Sequence, residues 1–153
     1  MKHRTTASFG KRQEYIAVAE LLRRGFDVYM TLVDDQQIDC VIRQEKNGGL
    51  RYLDIQIKAR SKDAKYAATF AALTVRDPRP NFLFIFYSEA ANKYWVMPSM
   101  DLVRLANVNK GGKNKQGKNK GKFTIKLASK TKSGWKPRPK FQRYEDAFDL
   151  LRP

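Results

Sequence analysis

The spacing of hydrophobic and polar positions changes several times along the chain, and each change predicts an element. From Ser8 to Gly25, "SFGKRQEYIAVAELLRRG", apolar residues recur at helical spacing, with Tyr15, Val18, Ala19, Leu21 and Leu22 as the expected buried stripe. Ser8 is the expected N-cap and Gly25 the C-cap glycine. Glu14 falls within the stripe, one turn ahead of Val18. A buried acid is costly unless it is paired, metal-bound or protonated; fraying that leaves Glu14 in water is the plainer alternative. "FDVYMTLV", residues 26 to 33, predicts a strand, "DDQQ" a turn, and "IDCVIRQE" a second strand. "KNGG" is the strongest hairpin signal in the chain and leads into a third strand, "LRYLDIQIKAR".

The third strand alternates with period two. Leu53, Ile55, Ile57 and Ala59 face one side, and Asp54, Gln56, Lys58 and Arg60 face the other. "SKDAKYAATFAAL" has helical composition with a stripe through Tyr66, Phe70 and Leu73, stopped by "RDPRP". "NFLFIFYS", residues 81 to 88, is nearly all apolar, as expected of a central strand covered on both faces. "KYWVMP" predicts another strand, "SMDLVRLA" a short helix opened by Ser99, and "FTIKLA" an edge strand. "WKPRPKF" reads as an extended basic connector, and "YEDAFDLL" as a terminal turn or short helix packed through Phe148, Leu150 or Leu151. No internal repeat is visible. The expected fold is an α/β domain covering residues 1–153, with a mixed central β-sheet flanked by helices.

Charge sharpens this picture. The net charge is +16 over 153 residues, and from Leu102 through Tyr144 there are fourteen Lys or Arg and no Asp or Glu. Such a field favours polyanions, nucleic acid first. An anionic membrane fits less well, because no long basic amphipathic helix accompanies the charge. Residues 107–122, "NVNKGGKNKQGKNKGK", contain no aromatic residue and cannot fold by apolar burial, so a flexible basic loop is expected there. Its Lys110, Lys113, Lys115, Lys118, Lys120 and Lys122 are candidate phosphate contacts.

Composition also excludes chemistry. Cys40 is the only cysteine and His3 the only histidine, which removes internal disulfides, cysteine zinc sites and histidine-based triads. Any metal must take oxygen ligands, as magnesium or manganese does. No apolar run reaches membrane-spanning length and the N-terminus lacks a signal-peptide core, so an intracellular protein, cytoplasmic or nucleoid-associated, is expected.

A tight "NGG" hairpin makes the second and third strands antiparallel neighbours. Asp39, sharing a face with Val41 and Arg43, then lies near Gln56 and Lys58, and the first helix brings Glu14 towards the same end. Asp39 can ligate a hard cation, with the Gln56 side-chain oxygen and the Ile57 carbonyl as further donors. Lys58 would face the attacking water or the phosphate, and Glu14 would hold the metal through water or tune Lys58. A plain cross-strand ion pair between Asp39 and Lys58 accounts for the spacing equally well.

The ordered set of a helix glutamate, "GFDVY", "ID" opening a strand and "IQIK" after a hairpin resembles the PD-(D/E)xK nuclease superfamily, especially archaeal Holliday junction resolvases and small endonuclease-like domains. The resemblance covers roughly Phe9 to Arg60. It implies a restriction-endonuclease-like core and a catalytic set of Glu14, Asp39, Gln56 and Lys58. It also implies Mg²⁺ (or Mn²⁺) at Asp39, Gln56, Ile57 and Glu14, and hydrolysis of phosphodiester bonds in double-stranded or branched DNA. Arg60 joins the six loop lysines as a DNA contact. Ile38 replaces the family's proline, and Gln56 its second acid; some members carry Gln at this place, and Asp54 is near enough in sequence to compensate. Resolvases cut two symmetric strands, so a homodimer is implied, with "KYWVMP" and "AFDLL" as candidate interface segments. The reading from a different class is a nucleic-acid-binding protein that does not cleave; an RNA-directed nuclease or a ribosome-associated protein completes the set.

Overall fold

A computed structural model describes residues 2–33, 36–111 and 117–153, with side chains from Thr6 onward. The first helix, α1 (Lys2–Arg23), begins upstream of the expected Ser8 cap, because nothing between Lys2 and Ala7 is a helix breaker. It ends as the sequence predicts. Gly25 takes φ +83°, its N–H donates to the Leu22 carbonyl at 2.9 Å, and the Phe26 N–H donates to the Leu21 carbonyl at 3.1 Å. That pair of bonds is a Schellman cap, and a Cβ at Gly25 would strain the left-handed backbone it requires.

The buried face of α1 differs from the expected stripe. Ala17, Val18 and Leu21 are buried together with Gln13, whereas Tyr15 is 60% exposed, Leu22 is 55% exposed and Ala19 faces solvent. Apolar residues cover most of this helix's circumference between Tyr15 and Leu22, so spacing alone could not choose the side. The sheet took the one with smaller residues.

The main sheet has five strands in the order β1 (Asp27–Met30), β2 (Cys40–Lys46), β3 (Gly49–Arg60), β5 (Phe82–Ser88), β6 (Lys93–Pro98). The β2–β3 hairpin turns through Asn47 and Gly48, both at positive φ, with Lys46 opposite Gly49. This is the primed turn that Asn-Gly favours. The β3–β5 pair is parallel and the remaining pairs are antiparallel, so the sheet is mixed as expected. Phe82 through Phe86 of β5 are buried on both faces. On the α1 side, Cys40, Ile42, Leu53, Ile55, Ile57, Leu83 and Ile85 pack against Ala17, Val18 and Leu21.

The other face carries Phe82, Phe84, Phe86, Trp95 and Met97, and is covered by a second layer. That layer contains β4 (Thr69–Leu73), β7 (Asn107–Val108) and β8 (Phe123–Lys126) in the order β4-β8-β7, followed by a hairpin of β9 (Ala128–Thr131) and β10 (Gly134–Pro137). "FTIKLA" is therefore a middle strand rather than an edge. The helix expected over 61–73 is replaced by turns and then β4. Phe70 and Leu73 are both buried, three apart, because the register against β8 shifts between them and Ala72 takes φ +55°. A bulge inserts one residue into a period-two pattern and so imitates helical spacing.

Helix α2 (Ser99–Leu105) starts where expected, but Ser99 does not cap it; its hydroxyl donates to the Arg79 carbonyl at 3.0 Å. "WKPRPKF" divides between β10 and a 3₁₀ helix, Pro139–Tyr144. The terminal 3₁₀ helix, Phe148–Leu151, packs through Phe148 and Leu151 while Leu150 is exposed. Trp95, Val96 and Met97 are fully buried, and Phe148 and Leu151 belong to the same core as α1, which leaves Leu150 and part of Tyr94 as the apolar surface that the two candidate interface segments expose. Both sit where a two-layer fold must close over its sheet.

Candidate functional site

The geometry at the head of β2 follows from unequal strand lengths. Strand β2 begins at Cys40 opposite Ile55, while β3 runs on to Arg60, so the last turns of the ladder on that edge lack a partner strand. Asp39 fills the first gap. Its N–H donates to the Ile55 carbonyl at 2.8 Å, and its carboxylate Oδ2 accepts the Ile57 N–H at 2.6 Å. The carboxylate stands in for the missing backbone carbonyl and is held, buried, against β3 beside Gln56 and Lys58. A charged acceptor on a backbone N–H makes a short, strong bond.

Gln56 is buried, and its Oε1 has no hydrogen-bond partner among the described residues. An orphaned buried acceptor of this kind costs about 1–3 kcal/mol unless something satisfies it. Lys58, half-buried two residues on, makes no hydrogen bond or ion pair within the described residues. Glu14 lies on the partly buried side of α1 with its side chain 16% exposed, paired with Lys11. Cys40 registers both carboxylates: burial pushes its thiol up to about 12, and Asp39 and then Glu14 add to the shift. Asp39, from the strand side, and Glu14, from the helix, thus both lie within electrostatic reach of the Cys40 thiol.

Other expected members lie elsewhere. Asp54 cannot compensate for Gln56, because Arg79 holds its carboxylate at 2.5 Å. Arg60, at the end of β3, is half-buried with an unpartnered Nε among the described residues. It lines a cleft of about 760 Å³ with Phe9 and Arg12 of α1 and with Ser61 and Lys62, which follow β3. Arg12 and Lys62 sit in no recognisable spacing, so nothing in the sequence marks them as sharing a cleft with Arg60, and Asp63 and Glu89 line it too. In the basic run, the Asn109 N–H donates to the Lys122 carbonyl and the Gly121 N–H to the Asn109 carbonyl, both at 2.9 Å. These bonds continue the β7–β8 pairing, so the segment is anchored at its base rather than loose throughout. Lys110, Lys118 and Lys120 are exposed and Lys122 is half-buried, while Lys113 and Lys115 lie outside the described residues.

Among the described residues, no group of three or more His, Cys, Asp or Glu side chains forms a metal cluster. The oxygen donors at this sheet end are of another composition: the Asp39 carboxylate, the unpartnered Gln56 amide oxygen and the Ile57 carbonyl, with Glu14 behind them. Hard, mostly neutral oxygens suit Mg²⁺ or Mn²⁺ and would bind zinc poorly.

No protein-family profile matches the chain, and no curated protein does. Among solved structures it is similar to a bacterial homing endonuclease, I-Ssp6803I, with a TM-score of 0.60 and 20% identity over 93% of this chain and 89% of that one. The fold is restriction-endonuclease-like. In this restriction-endonuclease-like core, Asp39, Gln56 and Lys58 occupy the end of the main sheet where β3 outruns β2, and the cleft between α1 and the segment after β3 begins one residue beyond Lys58, at Ala59 and Arg60. No helix among the described residues is long and apolar enough to cross a membrane.

Proposed function

We propose that this chain is a metal-dependent endodeoxyribonuclease of the PD-(D/E)xK superfamily that hydrolyses phosphodiester bonds, with selectivity for branched DNA of the Holliday junction type. The observation that carries the reading is the buried, unpartnered Gln56 Oε1 beside the seated Asp39 carboxylate. A cation held between the Asp39 carboxylate and this oxygen would satisfy the buried acceptor. The similar fold of a homing endonuclease supports the same class.

Asp39, Gln56 and the Ile57 carbonyl would hold Mg²⁺ or Mn²⁺, with Glu14 reaching it through water. When bound, the cation supplies Lewis-acid polarisation of the phosphodiester and a lowered pKa for water. Lys58, without a partner among the described residues, would orient the nucleophile and offset charge building on the phosphate. Arg60, Arg12 and Lys62 grip the backbone along the cleft. Supercoiled, linear and four-way-branched DNA incubated with Mg²⁺, Mn²⁺ or EDTA tests the proposal. Cleavage with either metal and none in EDTA is expected; tight binding without cleavage under any metal would replace it with the non-cleaving reading, which the neutral Gln56 and the +16 charge favour.

Gln56→Glu adds a full charge to the donor set without changing its size. Mg²⁺ affinity measured by calorimetry should rise by at least about tenfold, equivalent to ~1.4 kcal/mol. Unchanged affinity would remove Gln56 from the ligands.

The six lysines of the basic run suit phosphate contact rather than base reading, which needs donors in fixed geometry. Replacing Lys110, Lys113, Lys115, Lys118, Lys120 and Lys122 with Gln should weaken binding to all duplex sequences alike. The log–log salt slope should flatten by about 0.9 for each phosphate that is no longer neutralised. An unaltered slope would make the run a solvated loop.

We also propose a homodimer. The apolar exposure that supports it lies on the outer face of α1, at Tyr15 and Leu22, and just past β1, at the fully exposed Leu32 and at Val33. Light scattering in high salt should return about twice the 17.7 kDa chain mass; a 17.7 kDa species at every concentration would leave paired cleavage to assembly on DNA.

A further inference from the structure

A second groove, of about 270 Å³, lies on the other layer, between the turns that precede β4 and the β9–β10 hairpin. Lys65, Tyr66, Lys126, Lys130 and Trp135 line it, and no Asp or Glu does. The two rings differ in support. Trp135 is half-buried and packs against the core of that layer, which fixes it as a platform. Tyr66 is 59% exposed, and the Lys65 ammonium lies 5.4 Å from its ring centroid. Lys130 sits directly across the hairpin from Trp135, and Lys126 across the sheet from Thr69.

Exposed aromatic area is costly to leave in water, and three unopposed ammonium groups around it repel one another. An unpaired nucleobase relieves both, because its π-face stacks on the rings while the phosphates beside it meet the lysines. Paired bases cannot do this, since their faces are occupied by stacking neighbours. A protein partner would have to bring acidic and aromatic groups together, a combination that single-stranded nucleic acid presents at every residue. We propose that the Tyr66–Trp135 groove binds single-stranded DNA by base stacking, separately from the Asp39–Lys58 site. It gives the molecule a preference for DNA with unpaired segments that does not depend on cleavage.

The composition of the chain supplies a direct probe. There are two tryptophans, and Trp95 is fully buried. Fluorescence change on adding a ligand therefore reports Trp135. In EDTA, titration with a thymidine dodecamer should quench the emission, and the quench should be absent in Trp135→Leu. Single-strand affinity should fall by roughly 5- to 150-fold in Trp135→Leu and be largely retained in Trp135→Phe, since stacking on one aromatic side chain is of that size. Affinity for a blunt duplex should change by less than about twofold in both, because phosphate contacts dominate there. Tyr66→Leu, at an exposed position, should lower single-strand affinity selectively and carries the test if Trp135→Leu does not fold. No quench in the wild-type chain, or equal losses for single strand and duplex, would overturn the proposal. Because every arm runs without metal, a chain that proved unable to cleave DNA would still give the expected quench.

Discussion

Lys58→Ala is expected to lower strand cleavage by about 10²–10³-fold, the usual cost of removing one group that stabilises developing charge, while DNA affinity stays within a few-fold. The two effects separate because Lys58 is one of 31 Lys and Arg residues, so its share of the overall field is small. Folding should be nearly unaffected. Lys58 is half-buried and has no partner among the described residues, and its removal strands no buried group. Lys58→Met retains the apolar stem and should be equally inactive, which attributes the loss to the ammonium rather than to packing. Cleavage of supercoiled DNA under single-turnover conditions, with binding measured in EDTA, makes the distinction. A Lys58→Ala chain that cuts at the wild-type rate would take Lys58 out of the mechanism.

Two substitutions separate the proposed metal-ligand role of Asp39 from its hydrogen bond to the β3 backbone. Asp39→Asn keeps an oxygen that can accept the Ile57 N–H, but removes the anionic donor that the bond holds against β3. Cleavage should fall by more than about 10²-fold with little change in melting temperature. Asp39→Ala loses the acceptor as well and leaves a buried N–H unpaired, at about 1–3 kcal/mol. For a chain of this length that is roughly 2–4 °C of melting temperature per kcal/mol. Both variants should be inactive, and only the alanine variant should melt early. An alanine variant as stable as the wild type would mean that the Ile57 N–H finds another acceptor.

The same separation between charge and backbone explains which parts of the site could be read from the chain. The Asp39–Gln56–Lys58 spacing is legible because a tight Asn-Gly hairpin fixes register: once Lys46 faces Gly49, Cys40 must face Ile55. Glu14 is legible as an acid on a helix that also carries apolar residues. Gln56 reads only as a departure from a pattern, since whether its oxygen finds a partner depends on every neighbour the fold brings near. Arg79 is invisible as the partner of Asp54, twenty-five positions away.

Local backbone chemistry is written in short stretches, and there the chain speaks for itself. Gly25 ends α1 and Asn47-Gly48 turns the hairpin because left-handed dihedrals admit few other residues. The apolar run of β5 announces a strand covered on both faces, and the lysine-rich run announces a segment that cannot build a core. Assembly was needed wherever two arrangements satisfy the same local pattern. Phe70 and Leu73 fit one side of a helix or a bulged strand, and pairing with β8 selects the strand by supplying backbone partners. Two sides of α1 are apolar enough to be buried; packing on β3 and β1 selects Ala17, Val18 and Leu21, leaving Tyr15 and Leu22 outside. Trp95 and Phe148 have the composition of an interface as much as of an interior, and it is closure of the second layer and of the C-terminal turn over the sheet that puts them inside. Burial depends on what else is near, and nearness across the sheet is carried by the whole chain rather than by any segment of it.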